Sequence, residues 1–287
     1  MSFDNAYEAL GESADDESHW AFGTGFDDPL SGVDTTVPAG LDARALAAYC
    51  LMLGDDALIM SHRLQEWCTS APELEDEVAI ANIGLDLLGQ ARFLLARAGK
   101  ADGTGRDEDA LAYFRGTPEF RNVRLAEAGG GHFGHLIARL LVFSTWRLAV
   151  MQRLVSSADP VLAAIAAKGV KELAYHRDYA AQWAVRLGDG TELSHGRMQG
   201  GLDATWPLIG ELFATHQVET LAGVDPALVR DEFDSVLEQV LSAATLTRPS
   251  SEGEAAVLGR DGLHTEELSP LLDELQSVAR AHPDAKW

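Results

Sequence analysis

The sequence predicts an all-α protein, a four-helix bundle with additional C-terminal helices. Three observations carry this expectation. Apolar residues make up 46% of the chain and aromatics only 7%, and the apolar share is rich in Ala and Leu, both strong helix formers. Apolar positions recur at three-and-four spacing through four long segments, the period of a buried helical face. Between the second and third segments lies a stretch rich in Gly and charge, long enough to cross from one helix pair to the other.

Residues 1–41 read as an acidic, flexible N-terminal extension, because they hold many acids, several Gly and Ser and no Lys or Arg, with no sustained period. Trp20, Phe22 and Phe26 are too many aromatics for a pure spacer. Residues 42–287 read as one helical domain. Asp42 is placed to cap a first long helix, with Leu46, Cys50, Leu53, Ala57, Met60, Leu64 and Trp67 along one face. Ser70 and Glu73 have capping-box spacing, with Pro72 in the first turn of a second helix that Gly99 ends. Its row Leu74, Val78, Ala81, Leu85 and Leu88 is taken as the core face. Ile80, Ile83, Leu87 and Leu94 lie off that row, so the helix is apolar over more than half its circumference and is expected to sit centrally.

The crossover, Gly99 to Gly131, includes a short helical candidate near Glu108 to Arg115. A third long helix, about His132 to Ser156, aligns Ile137, Leu141, Leu148, Met151 and Val155, with Ser144 on the same row. The fourth starts at Asp159 and Pro160 and stops at Gly188. Two long-helix hairpins joined by a crossover make a ferritin-like core. Further helices are expected near Glu192 to Trp206, from Asp225 to about Ala244 and from Thr265 to Ala281, packed outside it.

The net charge of −23, from 22 basic and 45 acidic residues, would be repelled by a polyphosphate backbone or an anionic lipid surface, which argues against nucleic acid as a partner. The first basic residue is Arg44, so no secretory leader is expected and the protein is placed in the cytoplasm. Arg139, Arg147 and Arg153 interrupt the most apolar stretch, and no membrane span is expected. Cys50 and Cys68 form neither a metal pair nor a disulfide framework and are read as buried, reduced thiols.

A bundle of this type binds two irons when two helices each supply a Glu and the other two each supply Glu and His three residues apart. Residues at i and i+3 share a face, so a carboxylate and an imidazole reach one metal. The first helix offers Asp55 and Asp56, and the second offers Asp86. Three residues after Asp86 stands Gly89, followed by Gln90, so the imidazole is missing there. The third helix has Ser144 on the relevant row, with Thr145 and Trp146 beside it. The fourth carries Glu172 with Tyr175 and His176, displaced by one position from the ligand spacing. Asp56, Asp86, Glu172 and His176 are thus degenerate metal-site candidates. No catalytic, cofactor-binding or metal-ligating residue is assigned. Asp86, Glu172 and His176 are expected either in a buried polar network with arginines such as Arg92 and Arg177 or simply facing solvent. His62, His132, His135 and His195 are read as exposed or capping.

These helices resemble the structural subunit, PaaC, of bacterial phenylacetyl-CoA epoxidase, also called phenylacetate-CoA oxygenase. The resemblance rests on LGDDALIMSHRLQEWC at Leu53 to Cys68, APELEDEVAIANIGLDLLGQAR at Ala71 to Arg92 and KELAYH at Lys171 to His176. It extends through GLHTEEL at Gly262 to Leu268 to the terminal Trp287, while the acidic start before Asp42 departs from the family's short one. The resemblance implies a ferritin-like, non-catalytic subunit with no cofactor of its own. It would pair with a homologous catalytic subunit that holds the di-iron centre, together with a further small subunit and an NADPH-dependent reductase. The complex would epoxidise the ring of phenylacetyl-CoA with dioxygen. The competing readings are an autonomous iron-dependent oxidase using Asp56, Asp86, Glu172 and His176, and a helical acyl-CoA-binding protein.

Overall fold

The computed structural model describes residues 29–253, 256 and 258–285. Residues 33–287 form one unit, separate from residues 1–32, and most of the expected N-terminal extension lies outside the described residues. The described chain contains ten α-helices and no strand, as the all-α expectation requires. They are α1 Ala43–Gln65, α2 Leu74–Ala101, α3 Glu108–Tyr113, α4 Arg124–Glu127, α5 Phe133–Leu154, α6 Pro160–Gly188, α7 Glu192–Thr205, α8 Gln217–Ala222, α9 Arg230–Ala243 and α10 Leu268–Ala281.

Helix α1 starts where the sequence places it. The Asp42 carboxylate accepts the free N–H groups of Arg44 and Ala45, replacing partners that a first turn lacks. Leu46, Cys50, Leu53, Ala57, Met60 and Leu64 are buried, but so are Tyr49, Met52, Ile59, Asp55 and Asp56 on other faces. From Met52 to Ser61 every residue is buried, so this part of the helix is enclosed on every side. Trp67 and Cys68 lie beyond its end; Cys68 is half exposed rather than buried.

Helix α2 departs from the sequence reading in three ways. It begins at Leu74 with Glu73 as N-cap and no side-chain capping bond, so the Ser70–Glu73 box does not form and Pro72 precedes the helix. It continues past Gly99 to Ala101. Most importantly, the row taken as core faces outward: Leu74 is 71% exposed, Val78 53%, Leu85 55% and Leu88 43%. The buried face is the other one, with Ile80, Ile83, Leu87, Ala91, Leu94 and Leu95. A helix apolar on both faces has no period that says which is inward; only the neighbours decide.

Helix α5 is enclosed almost completely, with Ile137, Leu141, Ser144, Leu148 and Met151 buried as expected and Val155 exposed past its end. Asp159 caps α6 by accepting the Leu162 N–H, Pro160 takes the first position, and the helix ends at Gly188. His195 Nδ1–H donates to the Gly188 carbonyl at 2.7 Å, so this histidine caps, as expected. The long helices run antiparallel in pairs. Ser61 of α1 donates to the Gly84 carbonyl of α2, and Phe133 at the start of α5 meets Trp183 near the end of α6 edge to face. Asp76 near the start of α2 accepts from Tyr179 and Trp183 of α6. The crossover carries α3 as expected, and also the short α4, which the sequence reading missed. The C-terminal segments form α7, α9 and α10 close to the expected bounds, and α8 adds to them. Helix α7 packs on α5 and α6.

Helices α2 and α5 are each long and apolar enough to cross a membrane by length and composition. For α5 this reflects its enclosure, since 89% of its most apolar window is buried inside the protein. Helix α2 owes its apolar character to having both a core face and an exposed apolar row.

Candidate functional site: a polar lattice among the long helices

The space between the long helices is spanned by side chains rather than left apolar. Arg147 of α5 is fully buried. Its Nε–H donates to Gln90 Oε1 of α2 at 3.1 Å, and Nη2 donates to the Leu53 carbonyl of α1 at 3.1 Å. Gln90 turns its Nε2 to Glu172 Oε2 of α6 at 2.9 Å, and Lys168 Nζ stands 3.3 Å from the other Glu172 oxygen. One lattice thus links all four long helices. Gly169 of α6 packs against the Gln90 amide, which lies 3.5 Å from its Cβ position, an ordinary contact distance.

Arg147 Nη1 lies 3.9 Å from Asp56 Oδ2 and makes no hydrogen bond. Burial pushes this guanidinium down to about 10, opposed by the Asp56 charge and reinforced by Arg260. It remains a cation at neutral pH, inside a low-dielectric space where its field is little screened.

Asp55 and Asp56 are both buried and are used to anchor other segments. Both terminal nitrogens of Arg115 bond Asp55, whose Oδ2 also accepts the Arg121 N–H at 2.9 Å. Asp56 takes Arg260 on both oxygens, at 2.8 and 2.9 Å, and the Val123 N–H at 2.8 Å. Burial opposes the Arg260 charge, but Asp56 and Glu219 outweigh it and raise its pKa above the ordinary arginine value. These two carboxylates hold the crossover and the C-terminal segment against α1.

Of the four degenerate metal-site candidates, the fold brings Asp86 and His176 together: His176 Nε2 is 3.0 Å from Asp86 Oδ2. His176 is fully buried, with Nδ1 unpartnered, while the Asp86 side chain is 39% exposed. Glu172 belongs to the Arg147 lattice, and Asp56 meets that lattice only across the 3.9 Å gap. Gly89 does not occupy the inward position assigned to it; nothing lies within 4 Å of where its Cβ would be. The inward residue is Gln90, so the missing ligand was placed one residue off. Ser144 does face inward, its hydroxyl donating to the Leu140 carbonyl at 2.6 Å. Tyr175 is exposed, and Arg92 pairs with Glu108 outside the lattice. Among the described residues no three His, Cys, Asp or Glu side chains stand together to hold a metal ion.

Sequence reasoning missed Arg147, Gln90 and Lys168. A signal for the first two existed: Ser144–Arg147 and Leu87–Gln90 have the i, i+3 spacing of a Glu–His ligand pair, and Arg147 stands on a helix apolar enough to be enclosed.

Residues 33–287 match the family described as phenylacetic acid catabolic protein. The chain belongs to that family. Within the phenylacetic acid catabolic protein family it is similar to a curated relative from Escherichia coli (strain K12), the C component of 1,2-phenylacetyl-CoA epoxidase, with 42% identity over 247 residues. The alignment covers 84% of this chain and 99% of the relative, and the family match spans every helix that builds the lattice. Family membership bears out the resemblance drawn from the sequence segments around Asp56, Asp86 and His176.

Proposed function

We propose that this chain is a non-catalytic, ferritin-like structural subunit of a cytoplasmic, multicomponent di-iron oxygenase that epoxidises the ring of phenylacetyl-CoA. It pairs with and stabilises a homologous catalytic subunit. The observation that carries the reading is the Arg147 lattice. A guanidinium has only donors and a fixed positive charge, and it lies among the four long helices, where a di-iron protein of this architecture gathers carboxylates and imidazoles. Gln90 and Ser144 add weak or no ligand capacity on α2 and α5. The residues present do not suit two iron ions, and no chemical step is assigned to them.

The exposed row Leu74, Val78, Leu85 and Leu88, with exposed Tyr175 on α6, supports the pairing. Large apolar side chains exposed along one helical face mark an association surface. A second copy would bring another −23 charges against the first, so a different, less acidic helical subunit is the better occupant. That the E. coli relative is one component of a multi-subunit epoxidase agrees with this. The test is co-expression with the neighbouring oxygenase genes, followed by size exclusion and metal analysis of each chain. Iron and activity confined to the partner and the complex support the reading. Near-stoichiometric iron with oxidase activity in this chain alone would sink it.

A further inference from the structure

Away from the lattice, the end of the body where α5 begins gathers positive groups in a chain of net charge −23. Arg139 is only 5% exposed, yet among the described residues no hydrogen bond or ion pair reaches its guanidinium, and its Nε is buried without a partner. Burying a cation without a counter-ion is costly. Arg115 and Arg260 meet that cost with Asp55 and Asp56; Arg139 has no such acid. The carboxylates that act on it from a distance, Glu66 and Glu267, are both engaged by Arg63.

Arg139 lies on the same face of α5 as His135, four residues earlier, and its charge acts on that ring; long helical side chains lie back over the preceding turn. His135 Nδ1 is 3.2 Å from Nδ1 of His132, the N-cap of α5. The loop leading in, Gly129–Gly131, turns through left-handed glycines, with φ of 66° at Gly130 and 75° at Gly131. A Cβ on Gly131 would stand 2.7 Å from the His135 ring, so glycine alone lets the loop close there. The amides of Gly130, Gly131, Phe133 and Gly134 have no hydrogen-bond acceptor among the described residues. Gly129 N–H is taken by Glu267 at 2.6 Å and His132 N–H by His135 Nδ1 at 3.4 Å, which leaves the other four amides. Arg197, whose carbonyl packs 2.9 Å from the Cβ position of Gly134, is exposed and has no ion pair among the described residues.

We propose that this end of α5 is a binding site for a phosphate-type oxyanion, free or carried on a nucleotide, held by Arg139 and the α5 N-terminal amides with His132 and His135. A glycine turn opening into a long helix directs N–H groups and the positive end of the helix dipole at an anion. A buried guanidinium adds the charge-assisted bonds that phosphate oxygens accept. The site is distinct from the Arg147 lattice.

Inorganic phosphate is titrated into the full chain at constant ionic strength, with binding followed by calorimetry and by thermal denaturation. Saturable binding that raises Tm is expected, weakened about tenfold or more in Arg139→Gln and also weakened in His135→Gln. Lys171→Gln, on another surface, leaves it unchanged. Coenzyme A as competitor separates the sources: displacement of phosphate assigns the site to a nucleotide-borne phosphate, and saturable phosphate binding indifferent to it assigns a free ion. No saturable binding of either probe overturns the proposal. So does full-affinity binding in a folded Arg139→Gln, or, should that variant fail to fold, in His135→Gln.

Discussion

Replacing Leu87 and Leu85 by alanine, one at a time, separates the two faces of α2. Leu87 is fully buried, so Leu87→Ala loses its transfer free energy and leaves a cavity between packed helices, costing about 2–5 kcal/mol. Leu85 is 55% exposed. Full burial of a Leu side chain is worth roughly 1.5–3 kcal/mol, less than half of that surface is covered here, and no closed cavity forms. Leu85→Ala should therefore cost the isolated chain below about 1 kcal/mol. The order reverses on assembly, where truncating an apolar anchor at an interface should weaken association by about 1–2 kcal/mol, roughly five- to thirtyfold in Kd. Urea denaturation of the isolated variants, compared at equal m value, reads the first quantity. Titration of the partner subunit reads the second. Equal destabilisation by both substitutions in the isolated chain would show that α2 is turned the other way. A silent Leu85→Ala in both assays would remove the exposed row from the pairing surface.

Other expected outcomes follow from the buried polar groups. Arg147→Met should destabilise the chain by about 1–3 kcal/mol for each acceptor, Gln90 Oε1 and the Leu53 carbonyl, that loses its donor; adding Gln90→Leu should recover part of that loss in the same denaturation assay. His176→Gln should lower the yield of assembled complex but leave its turnover per iron nearly unchanged, and a hundredfold fall in turnover would place this chain in the chemistry. Stability should decline as pH falls through 6.5. His62 and His135 are both held below their ordinary 6.5, chiefly by burial, so the unfolded chain binds protons first and stability rises with pH across that window. The double variant His62→Gln, His135→Gln should flatten this limb in thermal melts at stepped pH, whereas an unchanged slope would assign it to other groups.

The long helices were legible because their information is local. A cap such as Asp42 or Asp159, a first-turn Pro160 and a terminal Gly188 act within one turn, and the three-and-four spacing of α1 and α5 survives any arrangement of neighbours. The segments around Asp56, Asp86 and His176 were enough to carry the family. What the sequence could not specify was direction. Leu85 and Leu87 are the same residue on opposite faces of an apolar helix, and nothing within α2 distinguishes the face that meets α1 and α6 from the face that meets solvent. The site was half legible for a related reason. Counting acids and histidines along each helix found the carboxylates, but a spacing rule cannot tell a ligand from an anchor. Asp55 and Asp56 acquire their roles from Arg115 and Arg260, which arrive from the crossover and from more than two hundred residues downstream. Arg147 reads as an interruption of an apolar stretch until α1, α2 and α6 bring the Leu53 carbonyl, Gln90 and Glu172 around it. Periodicity sets which residues form a helix; only packing decides which of its sides is the inside, because burial is a property of the neighbours and not of the residue.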